Sequence, residues 1–274
     1  MRAILFIFLI SLYSCSNKIN NGTEVIVIGT VHFPTDYVNA DSIYMALQQI
    51  SPDIIAMEAD SSVFNSDFSF KKTYDENEYN AVLKYLKEKP ETMVRPIGFE
   101  GRNAYRKKIG VYSEAGFVYG AMFNLLDKEA LTKKQSNMLL HYEDLWSVME
   151  IFKNETLPNI NTSFVDRLID SVNSYQYVKT KTIVDENSKF NYKIIGSDKD
   201  SVTLKEYFKK WTHFEGIQRN EALASNLKRL IKLYPNKRIV ALTGFKHRSY
   251  IINSLKDFEG PTIELKEYYE YQNL

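Results

Sequence analysis

The sequence predicts an α/β fold: a central, mostly parallel sheet flanked by helices, with a helical insertion in the middle of the chain. Three observations carry this. First, short β-branched and apolar runs, Val25-Ile26-Val27-Ile28, Ile54-Ile55-Ala56-Met57 and Ile239-Val240-Ala241-Leu242, have the continuity of strands buried on both faces. Second, strand, helix and strand follow one another at the start of the chain within about 30 residues, the size of a βαβ unit with a right-handed crossover. Third, the stretch from about 112 to 178 is helical in pattern.

Taken in order, Glu24 to Ile28 is the first strand. Asp41 to Ile50 has helical spacing at Ile43, Leu47 and Ile50, with an acidic start. Ser51-Pro52 leads into a second strand, Asp53 to Glu58. Asp75 to Lys89 is an amphipathic helix stopped by Pro90. Met93 to Glu100 is a third strand, and Pro96 suits an edge position. Ala115 to Leu126, Lys128 to Phe152 and Ser163 to Tyr175 form the insertion, a candidate cover for the sheet edge. Residues 179–200 are polar and irregular, with a hairpin expected to end at Tyr192-Lys193-Ile194-Ile195-Gly196. Helices follow at Thr203 to Trp211 and Glu215 to Tyr234, a strand at Arg238 to Leu242, a helix at Ser249 to Leu255, and a last strand at Thr262 to Leu265.

Composition narrows the function. The chain has 274 residues, enough to bury a core, and residues 23–274 read as a single domain. With 35 basic and 34 acidic residues there is no strong field to attract nucleic acid. The single cysteine, Cys15, follows a basic start (Met1-Arg2), an apolar run (Ala3 to Leu12) and Leu12-Tyr13-Ser14, which resembles a lipobox. Residues 1–14 therefore read as a lipoprotein-type signal peptide and 15–22 as a polar tether. Acylation of Cys15 would leave the mature protein lipid-anchored in a bacterial cell envelope, facing the periplasm or the exterior. It would also leave no thiol for catalysis.

One local pattern occurs twice. Gly29-Thr30-Val31-His32 follows the first strand and Gly244-Phe245-Lys246-His247 follows the strand near the other end. A glycine turn after a buried strand would place each histidine at the carboxyl edge of the sheet, where open α/β sheets bind ligands. Glu58 ends the second strand at the same edge, where an unpartnered carboxylate would be costly. His32, Glu58 and His247 thus form the candidate constellation, with Glu100 and Arg219 as outer members. Two imidazoles and a carboxylate can ligate zinc, manganese, cobalt or iron and leave a position for water. Without metal, a histidine would serve as general base, Glu58 would orient it, and Arg219 would stabilise charge. Arg102 and Arg106 are near enough in sequence to pair with Glu100. His141 and His213 lie in polar helical surroundings and read as surface residues. The chain has no His-Glu-x-x-His helix, Gly-x-Ser-x-Gly elbow, P-loop or Gly-x-Gly-x-x-Gly fingerprint.

Four stretches, in order, resemble the TraB/Tiki superfamily, which includes erythromycin-esterase-like proteins and haem-binding lipoproteins. They are Val27-Ile28-Gly29-Thr30-Val31-His32-Phe33, Ile55-Ala56-Met57-Glu58, Arg219-Asn220-Glu221-Ala222-Leu223-Ala224 and Leu242-Thr243-Gly244-Phe245-Lys246-His247. The resemblance implies an α/β core, His32, Glu58 and His247 at the site centre, and Arg219 pointing into the same cleft. It implies an envelope-associated hydrolase. The Tiki branch suggests metal-dependent cleavage of a peptide or ester bond, with His32, Glu58 and His247 holding the ion, Glu100 acting as base or supporting a ligand, and Arg219 stabilising the oxyanion. The esterase-like branch suggests metal-independent hydrolysis by a histidine base, and the lipoproteins suggest haem or small-ligand binding without turnover. Two departures from the pattern stand out. Lys246 and Arg248 flank His247, where extra cations would oppose a divalent ion unless they point away. The segment after His32 lacks a further histidine found in some branches.

Overall fold

A computed structural model describes residues 22–111, 115–195, 201–258 and 260–271. The signal peptide, most of the tether and the candidate lipidation site Cys15 lie outside the described residues.

Among the described residues seven strands form, in chain order: β1 (Thr23–Thr30), β2 (Ile54–Met57), β3 (Met93–Pro96), β4 (Lys193–Ile195), β5 (Ser201–Thr203), β6 (Arg238–Gly244) and β7 (Ile263–Lys266). Five of them make one all-parallel sheet in the order β3-β2-β6-β1-β7. The sheet is built as the apolar runs require. Val25, Val27, Ile54, Ala56, Ile239 and Ala241 face one side, and Ile26, Ile28, Ile55, Met57, Val240 and Leu242 face the other. Both faces are covered, which is why these strands carry no polar alternation.

On the first side lie α10 (Arg219–Leu233) and α11 (Phe245–Lys256), which contribute Leu223, Leu227, Ile231, Ile251 and Leu255. On the second side lie α1 (Ala40–Ile50) and α2 (Asn77–Glu88), with Ile43, Leu47, Ala81, Val82 and Tyr85. Asn39 caps α1, its side chain accepting from the N–H groups of Asp41 and Ser42. A short helix α3 (Arg102–Lys108) follows β3. β3 is an edge strand, as Pro96 suggests, but it ends at Pro96 instead of running on to Glu100.

The insertion comprises α4 (Gly116–Asp127), α5 (Lys133–Phe152), α6 (Leu157–Ile160), α7 (Ser163–Ser174), α8 (Lys181–Glu186) and α9 (Leu204–His213). Its apolar residues, among them Met122, Leu139, Met149, Ile169, Phe208 and Trp211, are continuous with the core on the second sheet face. α5 starts at Lys133, five residues later than the sequence pattern suggests. Glu129 turns the chain with a positive φ of 53°, and Thr132 caps the helix in a reciprocal pair with Gln135. Single π-helical turns at Tyr175–Lys179 and Phe214–Gln218 join α7 to α8 and α9 to α10.

Three expectations need correction. Residues 181–191 are α8 and a short 3-10 turn, not hairpin. The hairpin begins where it was expected to end, since β4 pairs antiparallel with β5. α11 begins directly after Gly244, so His247 sits in the first turn of a helix rather than on a connecting loop. Neither Gly29 nor Gly244 has a positive φ; among the described residues the glycines with one are Gly101 and Gly110. The glycines of the repeated motif are therefore not turn residues. Among the described residues, no helix is long and apolar enough to cross a membrane.

Candidate active site

The strand order builds the site. β6 lies between β2 and β1, so the motif from the far end of the chain sits between Glu58, just after β2, and His32, just after β1. The two Gly-x-x-His segments are pressed together, and each glycine makes room for the other segment. A Cβ on Gly29 would lie 2.8 Å from Cα of Phe245, and a Cβ on Gly244 would lie 3.0 Å from Nε2 of His32. Close approach is the reason for glycine at both positions. Asn161, fully buried after α6, fixes the end of β1: its Oδ1 accepts from Gly29 N–H at 2.6 Å and its Nδ2 donates to Gly29 O at 2.8 Å.

Glu58 is the electrostatic centre. Arg219 Nη2 donates to its Oε1 at 2.5 Å, while Thr243 Oγ1 at 2.6 Å and Gly244 N–H at 2.8 Å donate to its Oε2. Burial opposes its ionised form, but His247, Arg219, His32 and the Thr243 hydroxyl together outweigh burial and hold the carboxyl well below the usual range. Arg219 also donates from Nη1 to Glu215 at 3.0 Å, so two carboxylates flank one guanidinium. The second π-turn sets this up by placing Glu215 and Arg219 one turn apart. Its Gly216 leaves room for the ring of Tyr177 from the first π-turn, 2.7 Å from where a Cβ would be.

The two histidines differ. His247 is buried, and burial pushes it down to about 3 against the attraction of Glu58, helped by the repulsion of Arg219, His32 and Arg102. It is neutral at pH 7, with Nδ1 2.6 Å from Asn220 Oδ1 and Nε2 3.6 Å from Glu58, beyond hydrogen-bond range. His32 keeps 45% of its side chain exposed. Its Nδ1 donates to Glu78 Oε1 at 2.9 Å, and that hydrogen bond raises its pKa above the ordinary value against the effect of burial, with Glu78 and Glu58 charges adding. Thr30 donates to the same Glu78 oxygen. Nε2 of His32 is left facing Gly244.

Glu78 was not among the sequence candidates. It is buried in the first turn of α2, beside Asn77, whose N–H donates to His32 O and whose side chain donates to Val31 O. A carboxylate in the apolar phase of an amphipathic helix was the available signal, because Ala81, Val82 and Tyr85 bury the same face. Thus Glu78, not Glu58, orients His32. Glu100 is not part of the site: exposed, it accepts from Ser61 N–H at 3.1 Å and from the Ser61 hydroxyl. His141 and His213 are exposed, as expected.

Of the two flanking cations, Arg248 is turned away from the centre, while Lys246 lines the cleft. Arg248, 1% exposed, donates to Val27 O at 3.0 Å and pairs with Asp166 and Glu267, tying α7 and the C-terminal segment to β1. Lys246 lies over the Trp146 ring, 4.2 Å from its centroid.

Two cavities meet at Arg219, Lys246 and His247. One, about 690 Å³, holds His32, Phe33, Arg102 and Gly244. The other, about 610 Å³, is walled by Tyr119, Tyr142, Trp146, Tyr177 and Trp211 from the insertion. The insertion thus supplies an aromatic wall beside the sheet edge.

The donor set does not fit a divalent metal. Both oxygens of Glu58 are taken by Arg219, Thr243 and Gly244, and a permanent cation stands where an ion would sit. Among the described residues no group of three or more His, Cys, Asp or Glu is arranged to hold an ion. Tyr119 donates to Gln176 O at 2.7 Å, and burial pushes both Tyr119 and Tyr142 up. The arrangement offers an oriented imidazole with a free ring nitrogen, a buried guanidinium–carboxylate network, and a partly aromatic cleft. No family model, no curated protein and no solved structure matches the chain.

Proposed function

We propose that the chain is a metal-independent hydrolase of ester bonds, with His32 as its general base. One observation carries this reading: the His32–Glu78 pair, 2.9 Å, leaves Nε2 directed at the cleft beside Gly244 and the Glu58–Arg219 pair. With the proton on Nδ1 held by Glu78, Nε2 has its lone pair free. No serine or cysteine lines this lobe among the described residues, and its threonines, Thr30 and Thr35, donate to Glu78 and to Val38 O, so the activated group is a water molecule.

In the first step water oxygen bonds to the ester carbonyl carbon and its proton passes to His32 Nε2. Glu78 stabilises the imidazolium that forms. The carbonyl oxygen gains the negative charge and accepts from the N–H groups of Arg219 not used by Glu58 and Glu215. In the second step the bond to the leaving oxygen breaks, and that oxygen takes the proton back from Nε2. Glu58 serves as a positioning residue, anchoring Arg219 and Gly244 together. A lipid-anchored, envelope-facing location through Cys15 belongs to the same proposal.

The test is turnover of a panel of chromogenic carboxylic esters by the purified protein and by His32→Ala. Expected is hydrolysis that survives EDTA and is lost in His32→Ala. Hydrolysis abolished by EDTA and restored by a metal, or undiminished in His32→Ala, would overturn it.

A further inference from the structure

Arg102 lines the His32 lobe, and among the described residues no carboxylate pairs with it directly. It opens α3 and borders the same cavity as His32, Gly244 and His247. Its Nε is buried and has no hydrogen-bond partner among the described residues. The obvious partners are committed elsewhere. Glu100, two residues away, bonds Ser61. Glu58 and Glu215 bond Arg219, and Glu215 also lies 3.7 Å from Arg106. On the other wall of the lobe, Glu150 pairs with Lys153. A part-buried guanidinium with a buried N–H left unpaired is costly. Burial and the charges of Arg219 and Arg106 lower its pKa, against the weaker attraction of Glu215 and Glu58. An incoming anion would relieve both costs.

We propose that Arg102 is a substrate-binding residue that recognises an oxyanion, a carboxylate or a phosphate, carried by the substrate close to its scissile bond. The substrate class is therefore an anionic ester. The position of the scissile bond rests on the hydrolytic reading above, whereas the binding of the anion does not. The planar fork of N–H donors on Arg102 suits a two-oxygen contact. Arg219, already shared by two carboxylates, has less charge to offer.

The probes are monomethyl succinate and methyl phosphate, with the neutral methyl succinamate as control, titrated by calorimetry at matched ionic strength. The wild-type protein is expected to bind at least one oxyanion more tightly than the neutral amide. Arg102→Gln should weaken that binding by about 10-fold or more, the scale of a lost charge-assisted hydrogen bond. Arg102→Lys keeps the charge but not the fork, and should bind between the two. His32→Ala should bind the oxyanion as the wild type does, so loss of turnover with retained binding separates this proposal from the hydrolase reading. Equal binding of oxyanion and amide by the wild type would overturn it. So would unchanged oxyanion binding in a folded Arg102→Gln, which would make Arg102 a structural partner of the unpartnered Glu215 oxygen. Should Arg102→Gln fail to fold, Arg102→Lys decides alone, and wild-type affinity there would reject the fork.

Discussion

Glu78→Gln is the most direct test of the proposed base. Glu78 bonds His32 Nδ1 at 2.9 Å and accepts from Thr30, while its second oxygen is buried without a partner. The substitution keeps the shape and removes the charge. It acts twice on catalysis. A hydrogen bond to a charged group contributes about 1.5–3 kcal/mol, most of it felt when His32 becomes an imidazolium. The amide can also present an N–H to Nδ1, which favours the wrong tautomer and directs a proton, not a lone pair, into the cleft. Comparable losses in histidine–carboxylate pairs reach about 10⁴, so kcat/KM should fall by about 10²–10⁴. Stability should change by no more than about 2 kcal/mol, because the residue lost is a buried charge with one oxygen already unsatisfied. Only four histidines are present, so their ring signals can be followed singly by NMR. His32 should titrate above 6.5 in the wild type and lower in Glu78→Gln, since the carboxylate raises its pKa. The acid limb of kcat/KM should move down with it. A variant that keeps wild-type kcat/KM while the His32 titration moves would refute the assignment of His32 as base.

Three further outcomes are expected. His247 is held neutral at a pKa of about 3, so the unfolded chain binds the extra proton as pH falls below 6.5; stability is complete above that value and is lost toward pH 3. Between 6.5 and 4.5 the slope should approach about 1.4 kcal/mol per pH unit, before Glu58 protonation in the unfolded chain adds to it, and denaturant titrations of His247→Gln should show a flatter profile. His32 works in the opposite window: its raised pKa adds stability that is complete below 6.5 and disappears at higher pH. Asn161→Ala strips Gly29 N–H, Gly29 O and Leu157 O of their partner, and should cost about 2–4 kcal/mol in urea unfolding; a change under about 1 kcal/mol would mean that the end of β1 is held by other contacts. Gly244→Ala places a methyl carbon 3.0 Å from His32 Nε2. It should leave the fold intact, shift the His32 ring signal and lower turnover, whereas Gly29→Ala, meeting the backbone of Phe245 at 2.8 Å, should lower the melting temperature first.

The sheet was legible because its signal is local. Strands buried on both faces read as continuous apolar runs, and all three such runs form strands of the one parallel sheet. Pro96 announced an edge. What no local signal carries is strand order. Nothing in Val25–Ile28 or Ile54–Met57 says that β6 will come between them, yet that insertion is what brings His247 alongside Glu58 and His32. The convergence was inferred from the repeated motif, and the motif itself was misread in one respect. Its glycines look like turn residues in one dimension; in three they are contact points between the two copies.

The same limit explains the exchange of partners between the two glutamates. Glu58, at a strand end, invites the role of orienting carboxylate. A buried strand-end carboxylate in an apolar setting needs a partner, and Arg219 arrives from the first turn of α10, directly after the second π-turn. Once Arg219, Thr243 and Gly244 have taken both oxygens, Glu58 has little left to give a histidine or a metal. The vacancy beside His32 goes to Glu78, which α2 delivers from the second sheet face through the backbone bond of Asn77 to His32 O. The chemistry follows from this division. One carboxylate neutralises a fixed cation and holds the site's shape, and the other is free to share charge with an imidazole as it gains a proton. A site divided this way runs on proton transfer, and it is Glu78, more than Glu58, whose removal should silence it.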